Sequence, residues 1–185
     1  MTYEVEQKFP LDDAAKLETK LTDLGARFRP AIEQVDIYFA HPSRDFSVTD
    51  EALRIRTVGD DHWITYKGPK LGQVTKTRRE LELPLGGGDD RGEQFATLLT
   101  CLGFRPVAEV RKNRRPFQLA WQSWQVEGAL DHVEELGDFA ELELCVESSA
   151  IEQAQDAIVG LSSELGLTHF ERRSYLELLQ EHRAQ

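Results

Sequence analysis

Tyr3-Glu4-Val5-Glu6-Gln7-Lys8-Phe9 is the stretch on which the fold turns. In a β-strand, side chains two residues apart share a face. Glu4, Glu6 and Lys8 therefore project together, while Val5 and Phe9 take the opposite side. Two carboxylates and an ammonium in one row either face water or line a polar interior suited to metal and phosphate. For one strand the solvated face is the commoner outcome. Repetition in other strands decides between the two.

The pattern repeats. In Phe139-Ala140-Glu141-Leu142-Glu143-Leu144, the two glutamates share one face and the two leucines the other. Ala52-Leu53-Arg54-Ile55-Arg56 alternates in the same way with arginines. Lys76, Arg78, Glu80 and Glu82 fall in one row, and Lys112 and Arg114 fall in register. A set of strands that all carry charge of both signs opposite an apolar face is better explained by a closed polar interior than by solvated faces.

The rest of the pattern supplies strands to close such a sheet and helices to cover it. Strands are predicted at about 3–9, 27–40, 51–58, 62–67, 74–83, 104–119, 123–133 and 139–147, joined mostly by hairpin-length turns, so the sheet is antiparallel. About eight strands close a barrel with a usable lumen. One helix starts near Asp12 with Leu17, Leu21 and Leu24 on a stripe. A second spans roughly Arg91–Leu102, with Phe95, Leu98, Leu99 and Leu102 facing inward. A third starts at Ser149, with Glu152 completing a capping box and Ile151, Ile158, Leu161 and Leu165 as its stripe. Each ends in Leu-Gly followed by an apolar residue, a C-cap signature. A short helix from Ser174 closes the chain. The expected fold is α+β: an eight-stranded antiparallel closed β-barrel with helices packed outside, residues 1–185 forming one domain. Glu4-x-Glu6 and Glu141-x-Glu143 each precede such a helix, a weak internal repeat.

The predicted lumen holds eight cations, Lys8, Arg54, Arg56, Lys67, Lys76, Arg78, Lys112 and Arg114, against seven acids, Glu4, Glu6, Glu80, Glu82, Asp131, Glu141 and Glu143. Confined cations repel one another unless an anion joins them. A triphosphate offers a line of oxygens that guanidinium forks and ammonium groups can grip. Clustered carboxylates tolerate that anion when a hard cation lies between, and Mg²⁺ or Mn²⁺ commonly bridges carboxylates to phosphates. Glu4, Glu6, Asp131, Glu141 and Glu143 are the candidate metal ligands. Salt bridges that merely brace the barrel would account for any one pair. They account poorly for the whole set, because buried ion pairs stabilise little.

The net charge of −11 over 185 residues lies outside the predicted lumen. It argues against a nucleic-acid partner and against anionic lipid. The absence of a long apolar run argues against a membrane span. Cys101 and Cys145 have no metal-type spacing, and free thiols suit a cytoplasmic protein. The five histidines lack ligand spacing, Trp63, Trp121 and Trp124 are expected to pack, and Gly86-Gly87-Gly88 lacks a P-loop ending. A monomer and a homodimer are both compatible with the pattern.

Glu4-x-Glu6-x-Lys8 resembles the N-terminal signature of the CYTH superfamily, the triphosphate tunnel metalloenzymes. The resemblance continues through Asp36-Ile37-Tyr38-Phe39, Thr49-Asp50-Glu51-Ala52-Leu53-Arg54-Ile55-Arg56, Tyr66-Lys67-Gly68-Pro69-Lys70, Arg78-x-Glu80-x-Glu82, Lys112-x-Arg114, Asp131-x-Val133, Leu136-Gly137-x-Phe139-x-Glu141-x-Glu143 and Ser174-Tyr175. It implies a triphosphate tunnel with divalent metal on the five acids and phosphate contacts from the eight cations. Lys8, Lys67 and Lys112 are the candidates for a catalytic role. The Thr49–Arg56 and Tyr66–Lys70 blocks look closest to class IV adenylyl cyclases, which would make ATP the substrate and cyclic AMP and pyrophosphate the products. The alternative is a triphosphatase acting on inorganic tripolyphosphate, thiamine triphosphate or a nucleotide. A non-catalytic polyphosphate- or nucleotide-binding module is the third reading. The sequence departs from the pattern at Glu135, where a glycine is expected and the extra acid would alter the tunnel mouth.

Overall fold

The structure is a computed structural model that describes residues 2–71, 74–88 and 90–185. The chain runs β1 (Thr2–Leu11), α1 (Ala14–Asp23), β2 (Arg27–Phe28), β3 (Ile32–Ala40), α2 (Phe46–Thr49), β4 (Ala52–Val58), β5 (Asp61–Lys67) and β6 (Lys76–Gly87). It continues with α3 (Arg91–Cys101), β7 (Arg105–Trp121), β8 (Trp124–Val133), β9 (Gly137–Glu147), α4 (Ile151–Leu165) and α5 (Tyr175–Ala184). Eight strands pair in the order β7-β3-β4-β5-β6-β1-β9-β8, and β8 closes on β7. Every ladder is antiparallel. The two-residue β2 adds to β7 beyond the end of β3. The eight-stranded antiparallel barrel with external helices is the architecture that the charge alternation predicts.

Alternation sorts side chains to the two sides of the barrel wall. On β1, Val5 and Phe9 face outward and pack with Leu142 and Leu144 of β9 against Leu17 and Leu21 of α1 and Ile158 and Leu161 of α4. A second cluster lies at one end of the interior, where Phe139 and Val133, on the faces of Glu141 and Asp131, meet Tyr175 and Leu179 of α5. A third, outside the barrel, sets Leu99 of α3 against Phe39, Leu53 and Ile55. Burying each such aliphatic side chain contributes roughly 1.5–3 kcal/mol, and these clusters hold the charged interior in place. Gly25, Gly103 and Gly166 follow α1, α3 and α4 with φ of 89°, 93° and 75°, left-handed positions that glycine adopts without a Cβ clash.

Several expectations are corrected. The 27–40 strand is interrupted at 29–31, where Pro30 supplies no N–H to a ladder. The predicted 74–83 strand begins at Lys76 and runs on through Gly87, so most of the glycine run belongs to β6, and Asp89 lies outside the described residues. Leu98 of α3 and Leu102, which caps it, are 50% and 62% exposed, because the arc that meets the barrel runs through Phe95, Ala96 and Leu99. The Ser149–Glu152 capping box does not form. A 3₁₀ turn at Ser148–Ala150 leads into α4, whose N-cap is Ala150. A capping box does form at Ser174–Glu177, fixing the start of α5. The short α2 escapes apolar periodicity altogether. Asp45 defines it by accepting from the Ser47 N–H.

Glu135 occupies the left-handed region, with φ of 67°. That accounts for glycine being expected there, since a side chain at such a position costs roughly 1–2 kcal/mol. The carboxylate turns away from the tunnel and meets Arg183 of α5 at 2.6 Å, so it braces a helix and does not alter the mouth.

Candidate functional site

The barrel interior encloses a cavity of 210 Å³ lined by all eight predicted cations and by Glu4, Glu6, Glu80, Glu82, Glu141 and Glu143. Register explains the convergence. Glu6 pairs directly with Lys76 on β6 and with Glu143 on β9, Glu4 with Arg78, and Lys8 with Glu141. Directly opposed residues in an antiparallel ladder point to one face, so three adjacent strands present alternating acids and bases to the same space.

Within the tunnel most of these charges are paired. The Lys67 ammonium donates to both oxygens of Glu4, at 2.7 and 2.8 Å, and meets Glu80. Lys76 holds Glu6 at 2.8 Å. Arg114 forks onto Asp131 at 2.8 and 2.6 Å and also reaches Glu141. Lys112 meets Asp131 at 2.9 Å, and the Tyr175 hydroxyl donates to the same carboxylate at 3.0 Å. Asp131, an expected metal ligand, thus has its oxygens taken by these donors on the lumen face and is not among the residues that line the cavity. Thr65 donates to Glu82 at 2.8 Å.

One interior acid escaped sequence analysis. Asp36 is buried and accepts both donors of an Arg56 fork at 2.7 Å, with Arg54 at 3.3 Å. Burial raises its pKa, but Arg54 and Arg56 overcome this and hold the group well below the usual carboxylate range. The signal was present in the alternation of Gln34, Asp36 and Tyr38 opposite Arg56 and Arg54. Asp36 brings the interior acids to eight, equal to the cations. Trp63 likewise pairs with Arg56 on the interior side of the wall.

Two groups remain electrostatically unsatisfied. Lys8 is 1% exposed, and no carboxylate lies within ion-pair distance of it among the described residues. Its ammonium instead stands 3.9 Å from the Tyr175 ring centroid and 5.7 Å from that of Phe139. Burial and the nearby Lys76 push its pKa well down. Glu143 shows the converse. Burial and the carboxylates of Glu4, Glu6 and Glu80 push it up to about 8. Burial and neighbouring Arg114 also lower Lys112 to about 8, whereas Glu4 and Glu80 raise Lys67 despite its burial. The buried Nε atoms of Arg54 and Arg78 have no hydrogen-bond acceptor. The interior thus holds an ammonium without an ion-pair partner and two guanidinium Nε groups without a hydrogen-bond acceptor, beside Glu143, whose carboxyl has no lysine or arginine within ion-pair distance among the described residues.

That donor set fits a hard divalent ion. Glu4, Glu6, Glu141 and Glu143 on β1 and β9 offer only oxygen, and the raised Glu143 marks where positive charge is missing. Among the described residues no three acid, histidine or cysteine side chains already stand at metal-holding distances. The lysines and arginines occupy the carboxylates, so an arriving anion must draw them away before a cation can take their place. Cys145 neighbours Glu143 at 3.3 Å, but burial and that carboxylate raise its thiol pKa and keep it protonated.

A closed antiparallel barrel with carboxylates on β1 and β9 and eight cations around them is a charged tunnel whose chemistry suits a polyanion accompanied by a hard cation. The chain belongs to the CYTH family, whose CYTH domain matches residues 2–175. It is 36% identical over 180 residues to "Putative adenylate cyclase MJ0240" of Methanocaldococcus jannaschii, spanning 95% of this chain and 97% of that protein. It is 28% identical over 195 residues to "Adenylate cyclase CyaB" of Aeromonas hydrophila, spanning 97% and 90%. The solved structure of the PH1819 protein from Pyrococcus horikoshii superposes with a TM-score of 0.83 at 40% identity, covering 96% of this chain and 98% of that one. Membership implies dependence on a divalent metal and action on a triphosphate. No helix among the described residues is long and apolar enough to cross a membrane.

Proposed function

We propose that the protein is a divalent-metal-dependent enzyme that binds a triphosphate inside the tunnel and, as a class IV adenylyl cyclase, converts ATP to cyclic AMP and pyrophosphate. The observation that carries this is the juxtaposition of Lys8, a buried cation without an anion, and Glu143, a carboxylate without a cation, in one cavity. A metal triphosphate supplies both missing partners. The names of the two adenylate cyclase relatives favour the cyclase over other triphosphate chemistry.

In this reading Arg54, Arg56, Lys76, Arg78 and Arg114 grip the phosphate oxygens, while Lys8, Lys67 and Lys112 stand where charge develops at the reacting phosphorus. Glu4, Glu6, Glu141 and Glu143 would hold Mg²⁺ or Mn²⁺, with Asp131 orienting Lys112 and Arg114. The ion, when bound, lowers the barrier by polarising the phosphate and favouring the deprotonated nucleophile. The ribose 3′-hydroxyl loses its proton to solvent, its oxygen forms a bond to the α-phosphorus, and the bond from that phosphorus to the bridging oxygen breaks. Pyrophosphate leaves with the electron pair, and fixed cations offset the charge it carries away.

The second reading is hydrolysis of the terminal phosphate by water in the same cage. It is favoured by cations on β1, β4, β5, β6 and β7, which surround the cavity and grip a triphosphate without selecting its α-phosphorus. ATP, tripolyphosphate and thiamine triphosphate incubated with Mg²⁺ and with Mn²⁺ separate the two when cyclic AMP and phosphate are followed independently. Cyclic AMP from ATP supports the cyclase, and phosphate without it supports the hydrolase. Binding with no product from any of them would leave only the non-catalytic module.

A further inference from the structure

Lys76 is the first residue of β6, and the β1–β6 ladder ends on it, at the pair Glu6–Lys76. Strand ends are the parts of a sheet that open most easily. Yet Lys76 is buried, and it is one of the eight cations around the tunnel cavity. Its ammonium is placed by a stretch of chain that the ladder holds on one side only. What grips that stretch from outside the barrel wall therefore bears on the phosphate site.

Alternation turns the neighbours of Lys76 to the outer face. Thr75 and Thr77 are both buried there, with their hydroxyls 2.7 Å apart. Gln155 of α4 reaches the two together: its amide N–H groups donate to Thr75 Oγ1 at 3.1 Å and to Thr77 Oγ1 at 3.0 Å. Gln7 of β1 donates to the Val74 carbonyl at 3.0 Å. The Leu71 N–H donates to the Thr77 carbonyl at 2.6 Å. The buried face of α4 beside Gln155 is mainly aliphatic, with Ala154, Ala157, Ile158 and Leu161. An amide placed in such a layer costs free energy unless it is hydrogen-bonded, and once bonded it selects one arrangement where apolar contacts tolerate several.

We propose that Gln155 is a positioning residue for the phosphate site: by bonding Thr75 and Thr77 it fixes the backbone on both sides of Lys76 and so holds the Lys76 ammonium where phosphate oxygens arrive. The inference rests on the triphosphate reading of the tunnel. Gln155 touches neither the anion nor the acids of the lumen, and it acts across the barrel wall. When an anion draws Lys76 away from Glu6, the side chain swings on a backbone that is already ordered. Without the clamp the start of β6 must be ordered during binding, and apparent affinity falls by the fraction of molecules in the competent arrangement.

A double-mutant cycle on tripolyphosphate affinity, measured by calorimetry in EDTA, tests this. Gln155→Leu keeps the side-chain size and removes both bonds. It should weaken tripolyphosphate binding roughly three- to tenfold, about what one net hydrogen bond is worth. Thr77→Val, which removes one of the two grips, should give a smaller loss of the same kind. Gln155→Glu, whose carboxylate accepts from the two hydroxyls, should recover most of the affinity. In a Lys76→Met background, Gln155→Leu should change affinity no further, because the cation it positions is gone. Equal losses with and without Lys76, no loss from Gln155→Leu, or no recovery in Gln155→Glu overturns the inference and leaves the tunnel reading standing. Failure of the parent protein to bind tripolyphosphate overturns both.

Discussion

Glu6 and Glu143 stand directly opposite each other across the β1–β9 ladder, two carboxylates facing the same interior. Like charges in that relation destabilise a sheet. Lys76 relieves Glu6, but Glu143 has no such partner, and burial with the neighbouring carboxylates pushes its pKa up to about 8. A divalent cation between the two strands removes the conflict. Saturating Mg²⁺ or Mn²⁺, at about a hundred times its dissociation constant, should therefore stabilise the fold by about 2.7 kcal/mol. That corresponds to a rise in Tm of roughly 5–10 °C for a chain of this size. Glu143→Gln should raise the Tm of the metal-free protein and remove most of the metal increment. Thermal melts with EDTA and with metal check this, and an equal increment in the variant would count against Glu143 as a ligand.

How far the site was legible follows from the same pair. Each strand announced its charged face by period two, and the number of such faces pointed to a closed interior. That Glu6 meets Glu143, or that Lys67 meets Glu4 across 63 positions, depends on barrel register, which no local pattern encodes. Asp36 shows a subtler failure. Its strand reads Gln34, Asp36 and Tyr38 on one face, but a single charge between Val35 and Ile37 made a weak signal until Arg54 and Arg56 were seen across from it. On α3, Leu98 and Leu102 read as core because helical spacing fixes a stripe but not where that stripe ends.

Arg56 contributes a fork to Asp36 while Arg54 remains beside the same carboxylate. Arg56→Gln should therefore leave Asp36 partly compensated and the barrel folded. The lost charge-assisted contacts to phosphate are worth about 1.5–3 kcal/mol. Tripolyphosphate affinity should fall by roughly ten- to a hundredfold, read by calorimetry, with circular dichroism unchanged. Unaltered affinity would place Arg56 outside the phosphate cage.

Tyr175 joins α5 to the tunnel floor: its hydroxyl reaches Asp131 and its ring lies below Lys8 and Lys112, at 3.9 and 4.9 Å. Tyr175→Phe removes only the hydrogen bond to a charged acceptor, and Arg114 and Lys112 still satisfy Asp131. A loss of about 1 kcal/mol is expected, or a few degrees in Tm. Tyr175→Ala removes the ring from a cluster shared with Phe139 and Leu179 and should cost about 3–5 kcal/mol. Denaturant midpoints for both variants test the ordering, and equal losses would mean that the ring contributes nothing beyond its hydroxyl.

Glu171 ties the segment before α5 to β1, since its N–H donates to the Lys8 carbonyl at 2.7 Å while its carboxylate pairs with Arg173. Hydrogen bonds from Arg173 lower its pKa from 4.5 to about 2. A depressed carboxylate stabilises the fold above its unfolded pKa, and that stability is lost as pH falls through the folded value. The contribution should be complete above about pH 5 and vanish towards pH 2. Glu171→Gln should cost on the order of 1 kcal/mol at neutral pH, as a partly exposed pair allows. It should also flatten the stability profile between about pH 4.5 and 2, so that variant and parent converge in acid. Urea unfolding across that range reads the slope, and parallel profiles would show that the Glu171–Arg173 pair does not anchor the segment.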